Sequence, residues 1–158
     1  VEEVLGDWRV QLQALFAVGW AMLLGGAIGV ERELKNRPAG FRTHMLVAGA
    51  AALLVGLVDL IVARYAGESH RGLVQIDPVR LVEAVVAAVG FIGAGTIFRA
   101  GRDGGISGIT TAASLLMAAV IGIAAGLRAH VLALGATLLA LSVLLMLAWF
   151  ERRSQFPR

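Results

Sequence analysis

Apolar positions in this chain gather into five long runs, at residues 10–30, 43–64, 79–98, 110–126 and 130–150, with short polar connections between them. A membrane-spanning helix needs ~20 mostly apolar residues at ~1.5 Å rise each. Each run meets that requirement, the fourth being the shortest. The polar segment 1–9 is expected to lie along the interface with Trp8 as an anchor. Local punctuation supports these limits. Pro38-Ala39-Gly40 breaks the chain before the second run, and Asp77-Pro78 reads as an N-cap followed by proline at the first helical position. Thr110 or Thr111 is expected to cap the fourth helix, after a loop containing Gly101, Gly104, Gly105 and Gly108. The pattern predicts an all-α polytopic membrane bundle of about five transmembrane helices, with residues 1–158 as a single transmembrane domain and no internal repeat. Nothing before Leu12 reads as a signal peptide.

Composition agrees with this class. Of 158 residues, 58% are hydrophobic and 16% charged. A water-soluble domain carries roughly 45–50% apolar and about 25% charged residues, so a soluble fold of this size could not hide so much apolar surface. The absence of cysteine excludes disulfides and thiolate metal sites. The +3 formal charge sits in the connections, which points to membrane orientation rather than to nucleic acid. Nine of the 14 Lys and Arg residues (Arg32, Lys35, Arg37, Arg42, Arg99, Arg102, Arg152, Arg153, Arg158) fall on one side of the five spans. That side is expected to be cytoplasmic, with the N-terminus out and the C-terminus in.

Helices in lipid associate through close packing at small residues. Gly25 and Gly29 fall on one face of the first helix, Ala48, Ala52 and Gly56 on one face of the second, and Ala118, Gly122 and Gly126 on one face of the fourth. Gly90, Gly93 and Gly95 lie in "GFIGAG" on the third. That run sits inside an apolar helix with the wrong spacing for a dinucleotide fingerprint, and is read as packing. Asp59 and Glu83 share the small-residue faces of the second and third helices, about one turn from the same end. Both are expected to face the bundle, as an outer cation site suited to Mg²⁺ with retained waters, as partners of Arg64 and Arg80, or as interfacial groups that are simply hydrated.

On the other side, Glu31 and Arg32 end the first helix while Arg42 and Thr43 open the second. A tight turn would bring Glu31 within reach of Arg42. The expected result is a polar hairpin in which Glu31 and Arg42 matter more than Lys35 and Asn36, joined by Thr110, Thr111 and Ser114 from the start of the fourth helix. Those hydroxyls could equally cap or bond back to their own helix. His44, His70 and His130 show no metal-ligand spacing, and neither a nucleophile–base arrangement nor a phosphate loop is visible. Nothing in the pattern argues for an enzyme or a resident cofactor.

Three stretches resemble the MgtC/SapB family of membrane proteins. "GGAIGVERELKNRPAGFRTHMLVAGAAAL" is similar to a signature close to G-x-E-R-x-x-x-x-x-x-A-G-x-R-T, through Gly29, Glu31, Arg32, Ala39, Gly40, Arg42 and Thr43. "DPVRLVEAVVAAVGFIGAGTIFRAG" resembles the second motif, around G-F-L/I-G-A-G, and "GISGITTAASLLMAAVIGIAAGL" the third, G-L-x-T-A-A-x-x-W. The chain departs from the family at Ser107, where arginine is common, and at Leu116, where tryptophan is usual. The resemblance implies a bacterial inner-membrane protein linked to growth in low magnesium and, in pathogens, to survival inside macrophages. It implies inhibition of the F-type ATP synthase rather than magnesium carriage. Regulation through the soluble ACT-like C-terminal domain of longer members is not expected, since the chain stops after its fifth run. A regulator that binds another membrane protein is thus the first expectation, a cation transporter or channel the second, and a homo-oligomeric scaffold the third.

Overall fold

Each apolar run becomes one helix. The computed structural model describes residues 8–65, 77–100 and 107–153, in which α1 spans Trp8–Leu34, α2 Phe41–Tyr65, α3 Pro78–Ala100, α4 Ile109–Gly126 and α5 His130–Arg153. By length and composition α1, α2, α3 and α4 can each cross a membrane, and α5 adds the apolar stretch His130–Met146. The fold is all-α over the described residues. Of the polar segment 1–9, residues 1–7 lie outside the described residues, while Trp8 and Arg9 already belong to α1.

Helix ends follow local chemistry. At the α1 terminus Asn36 takes a left-handed φ of 53°. The amide of Arg37 then bonds Arg32 O at 3.0 Å and that of Asn36 bonds Glu33 O at 2.9 Å, which satisfies the last carbonyls. Glu33 Oε2 accepts the amide of Phe41 at 2.8 Å, so the acid that ends one helix caps the next. Asp77 caps α3 as expected, accepting the Val79 amide at 3.0 Å. The expected Thr110 or Thr111 cap does not form. Gly108 is the N-cap, with no side-chain capping bond. Its φ is 90°, and a Cβ there would come within 2.8 Å of Thr96 O. A left-handed turn pressed against α3 admits only glycine.

The core centres on α4, which packs on all four other helices. One buried cluster joins Ala21, Leu24 and Ile28 of α1, Ala48 and Ala52 of α2, Ala118, Ile121 and Ala125 of α4, and Ala133 of α5. A second joins Ala51 and Val55 of α2, Val85 and Val89 of α3, and Leu115, Ala119 and Ile123 of α4. Small side chains at these positions let the backbones approach closely, which supplies the dispersion contact that holds helices together in lipid. Gly25 meets His44 and Ala48, Gly29 meets Phe41 and Gly40, Gly93 meets Ala112, and Gly126 meets Val55 and Ala52. Gly122 is the tightest, since a Cβ there would overlap the carbonyl oxygen of Ala48. Gly90 and Gly95 correct the packing expectation: nothing lies within 4 Å of the place a Cβ would take at either. The α3 face that meets α4 runs through Val85, Val89 and Gly93, which leaves Gly90 and Gly95 turned away.

Candidate functional site at the helical hairpin

The charged residues of the α1–α2 hairpin gather at one end of the bundle, called here the hairpin end. α1 runs about four residues beyond the expected limit at Val30, to Leu34. Glu31 and Arg32 therefore sit inside a helix, both buried, at 7% and 3% exposure. Burial of charge is costly unless the charges pair. The Glu31 carboxylate accepts from Arg32 Nε. Lys35 Nζ, one turn along, lies 2.5 Å from Glu31 Oε1, an ion pair without the alignment of a directed hydrogen bond. The same ammonium donates to Leu144 O at 3.2 Å, tying the end of α1 to α5.

Arg42 does not join this group. It is exposed on the first turn of α2, where the contact between Gly29 and Phe41 sets the register of the two helices. The expected Glu31–Arg42 pair is thus replaced by Glu31–Arg32–Lys35 within α1. Lys35, expected to matter little, holds two contacts. The i, i+4 spacing of Glu31 and Lys35 was the signal for this pairing. Thr43 is half-buried and Thr110 is exposed.

His44 is a fully buried polar residue, at 0% exposure. Its Nδ1 lies 2.9 Å from Gly40 O and its Nε2 3.0 Å from Ser114 Oγ. A carbonyl only accepts, so Nδ1 carries hydrogen and, in the neutral ring, Nε2 accepts from the Ser114 hydroxyl. That hydroxyl also lies 2.8 Å from Thr111 O, so one proton faces two acceptors. Thr111 itself is buried at 1% exposure. Sequence spacing missed this serine–histidine contact, although His44, Ala48 and Ala52 occupy i, i+4 and i+8 on the buried face of α2. Both side chains are sealed in the core and the ring is oriented by a backbone carbonyl, so the pair pins α2 to α4. Replacing Ser114 with alanine strands a buried ring nitrogen. The expected cost is about 1–3 kcal/mol of stability, read from unfolding in mixed micelles. Ser142→Ala, which removes an exposed hydroxyl bonded to Leu139 O, is expected to change little.

The acids expected at the far end, where α4 passes into α5, are placed differently. Both Asp59 and Glu83 are exposed, but only Glu83 leaves the bundle face. Asp59 lines a small crevice with Gln13, Gly56, Gly126 and Arg128, and Glu83 is not part of it. Arg80 pairs with Asp77 at 3.8 Å instead of with Glu83, and the Arg64 side chain lies outside the described residues. The rotation of α3 explains the misplacement of Glu83. Val85 and Val89 face α4 and Glu83 falls beside that face, whereas on α2 Asp59 continues the stripe of Ala52 and Val55, at i, i+3 and i+7, into the crevice. Among the described residues no three histidine or acidic side chains come together as a group able to hold a metal.

Residues 18–153 match the model of the MgtC family. The chain is 36% identical over 150 residues to Protein SapB of Bacillus subtilis (strain 168), covering 95% of this chain and 63% of that protein. It is 35% identical over 140 residues to Protein MgtC of Brucella abortus (strain 2308), covering 87% and 53%. It is 38% identical over 126 residues to YhiD of Escherichia coli (strain K12), whose name proposes a magnesium transporter, covering 78% and 55%. The chain thus spans between about half and two thirds of the length of these relatives. No solved structure matches it.

Proposed function

Since the chain belongs to the MgtC family, we propose that this multi-pass bacterial membrane protein serves adaptation to low magnesium by binding and regulating another membrane protein, the F-type ATP synthase being the first partner to test. The inner membrane is its site, with the hairpin end in the cytoplasm, where the excess of Lys and Arg belongs. No catalytic step and no resident cofactor enter this reading.

One observation carries it. The buried charges of the hairpin end are spent on one another and on backbone carbonyls. Between them and the far-end crevice at Asp59 stands a tight apolar contact, built where Gly122 meets Ala48. An ion needs polar groups or water along its route, and this contact leaves no room for a methyl group and supplies no polar side chain. The transporter reading keeps support from the name of YhiD and from the exposed acids, and it predicts Mg²⁺ movement.

Two measurements on the same protein separate these readings. Mg²⁺ flux into proteoliposomes is expected to stay at the level of empty vesicles, while the chain restores low-magnesium growth to a strain lacking its own copy. Flux abolished by Asp59→Asn with Glu83→Gln would replace the regulator with a carrier.

A further inference from the structure

We propose that the open side of the bundle, between α3 and α5 and over α4, is the docking seat for a transmembrane helix of another protein, one that carries a lysine or arginine near the far end. The proposal rests on the reading above that the chain acts by binding a membrane partner, and it names the surface and the chemistry of that partner.

The seat follows from how the helices are arranged. Around the central α4 the neighbours run α3, α2, α1, α5, each packed against the next. α5 and α3 share no comparable contact, so the ring is open there among the described residues. α4 shows its exposed stripe in that opening: Ile109, Leu116 and Val120 are exposed, spaced i, i+7 and i+11, with the small Ala113 beside them. α3 forms one wall. Its Val85, Val89 and Gly93 face α4, and turning one way around it leads to Leu81, Ala88 and Ile92, which line a crevice against α2. Turning the other way leads to the opening and to Glu83, Val86 and Gly90, all exposed and spaced i, i+3 and i+7.

The chemistry of this wall selects the occupant. Glu83 lies within the apolar span Val79–Ile97, where a carboxylate facing lipid is costly. The neighbouring Arg80 is engaged with Asp77. Gly90 leaves bare backbone, with no atom within 4 Å of its missing Cβ, which suits close approach of a second helix more than loose acyl chains. A second copy of this chain fits poorly. A twofold pairing through this face would set Glu83 at the same depth as its own equivalent, like charge against like charge. A cationic side chain on a different helix satisfies Glu83 and seats its backbone on Gly90 and Ala113.

The test places a photo-crosslinking amino acid at Val120, and as a control at Leu46 on α2, in the full chain in living cells. The expected result is a Val120 adduct whose crosslinked peptide is a transmembrane segment bearing Lys or Arg, with none of it from Leu46. Glu83→Lys should lower that adduct about tenfold or more, as like-charge juxtaposition costs several kcal/mol. Glu83→Gln should lower it less, and reversal of the partner's Lys or Arg to Glu should restore it with Glu83→Lys. Unchanged gel-filtration elution of both Glu83 variants in detergent shows that they are folded. An adduct of the chain with itself, an adduct insensitive to both Glu83 variants, or no protein adduct from folded chain would overturn the proposal. Low-magnesium growth is scored in the same strains. Growth support without the adduct removes the seat and spares the regulatory reading, whereas a charge-swapped adduct without growth support does the reverse.

Discussion

Replacing Glu31 with glutamine is expected to destabilise the bundle by about 3–5 kcal/mol, the scale for breaking a buried ion pair by removing one partner. Arg32 is 3% exposed and draws on the Glu31 carboxylate. In the variant its guanidinium stays buried against a neutral amide, and Lys35 loses its carboxylate partner too. The penalty belongs to the stranded charge rather than to the pair. Glu31→Gln combined with Arg32→Gln should therefore recover much of the loss, since no lone charge remains. Arg42→Gln should cost little stability, because Arg42 is exposed and outside this cluster. The three variants are compared by the SDS fraction that unfolds them in mixed micelles. Equal losses from Glu31→Gln and Arg42→Gln would mean that the hairpin pair read from the sequence, and not the α1 cluster, carries the stability.

The second large effect is expected at Gly122. Alanine there places its Cβ on the carbonyl oxygen of Ala48. Backbone cannot swing aside as a side chain can, so α2 and α4 must move apart. Separation also opens the next contact along, where a Cβ at 126 would already sit 2.9 Å from Ala52 O. Overpacking typically costs about 1–3 kcal/mol, and a backbone clash between two central helices belongs at or above the top of that range. Gly90→Ala is the matched control. It adds the same methyl group where nothing lies within 4 Å, and a gain in helix propensity of up to about 1 kcal/mol is the expected direction. The pair is read by the same unfolding assay. Similar losses at both positions would show that glycine matters here for the helix alone and not for the packing.

These two results bear on how far the chain could be read without its structure. The five helices were legible because apolar runs long enough to cross a bilayer leave few other folds for the backbone, whose polar groups must be satisfied internally. Helix ends were partly legible. Asp77 caps α3 as its sequence suggests, whereas Thr110 and Thr111 gave way to Gly108, because a tertiary contact with Thr96 set the turn. The small-residue stripes were right for Gly25, Gly29, Gly93, Gly122 and Gly126 and wrong for Gly90 and Gly95. A stripe reports that a face could be approached closely, and does not say whether a neighbour arrives.

By itself, then, the sequence determined the class, the number of helices and the polar character of the α1–α2 hairpin. Those depend on composition and spacing along one chain direction. Only the tertiary structure decided which charges meet. Glu31 took Arg32 and Lys35 rather than Arg42, since the rotation of α1 against α2 was set by Gly25 and Gly29 pressing on His44, Ala48 and Phe41. It also decided that His44 reaches Ser114 across 70 residues of chain, and that Glu83 turns outward while Asp59 lines a crevice between helices. A helix presents every side to something, and its pattern ranks those sides by polarity and size. The side that goes to lipid, to a neighbour or to a partner is settled by the order in which helices surround α4, an arrangement fixed by contacts between residues far apart in the chain.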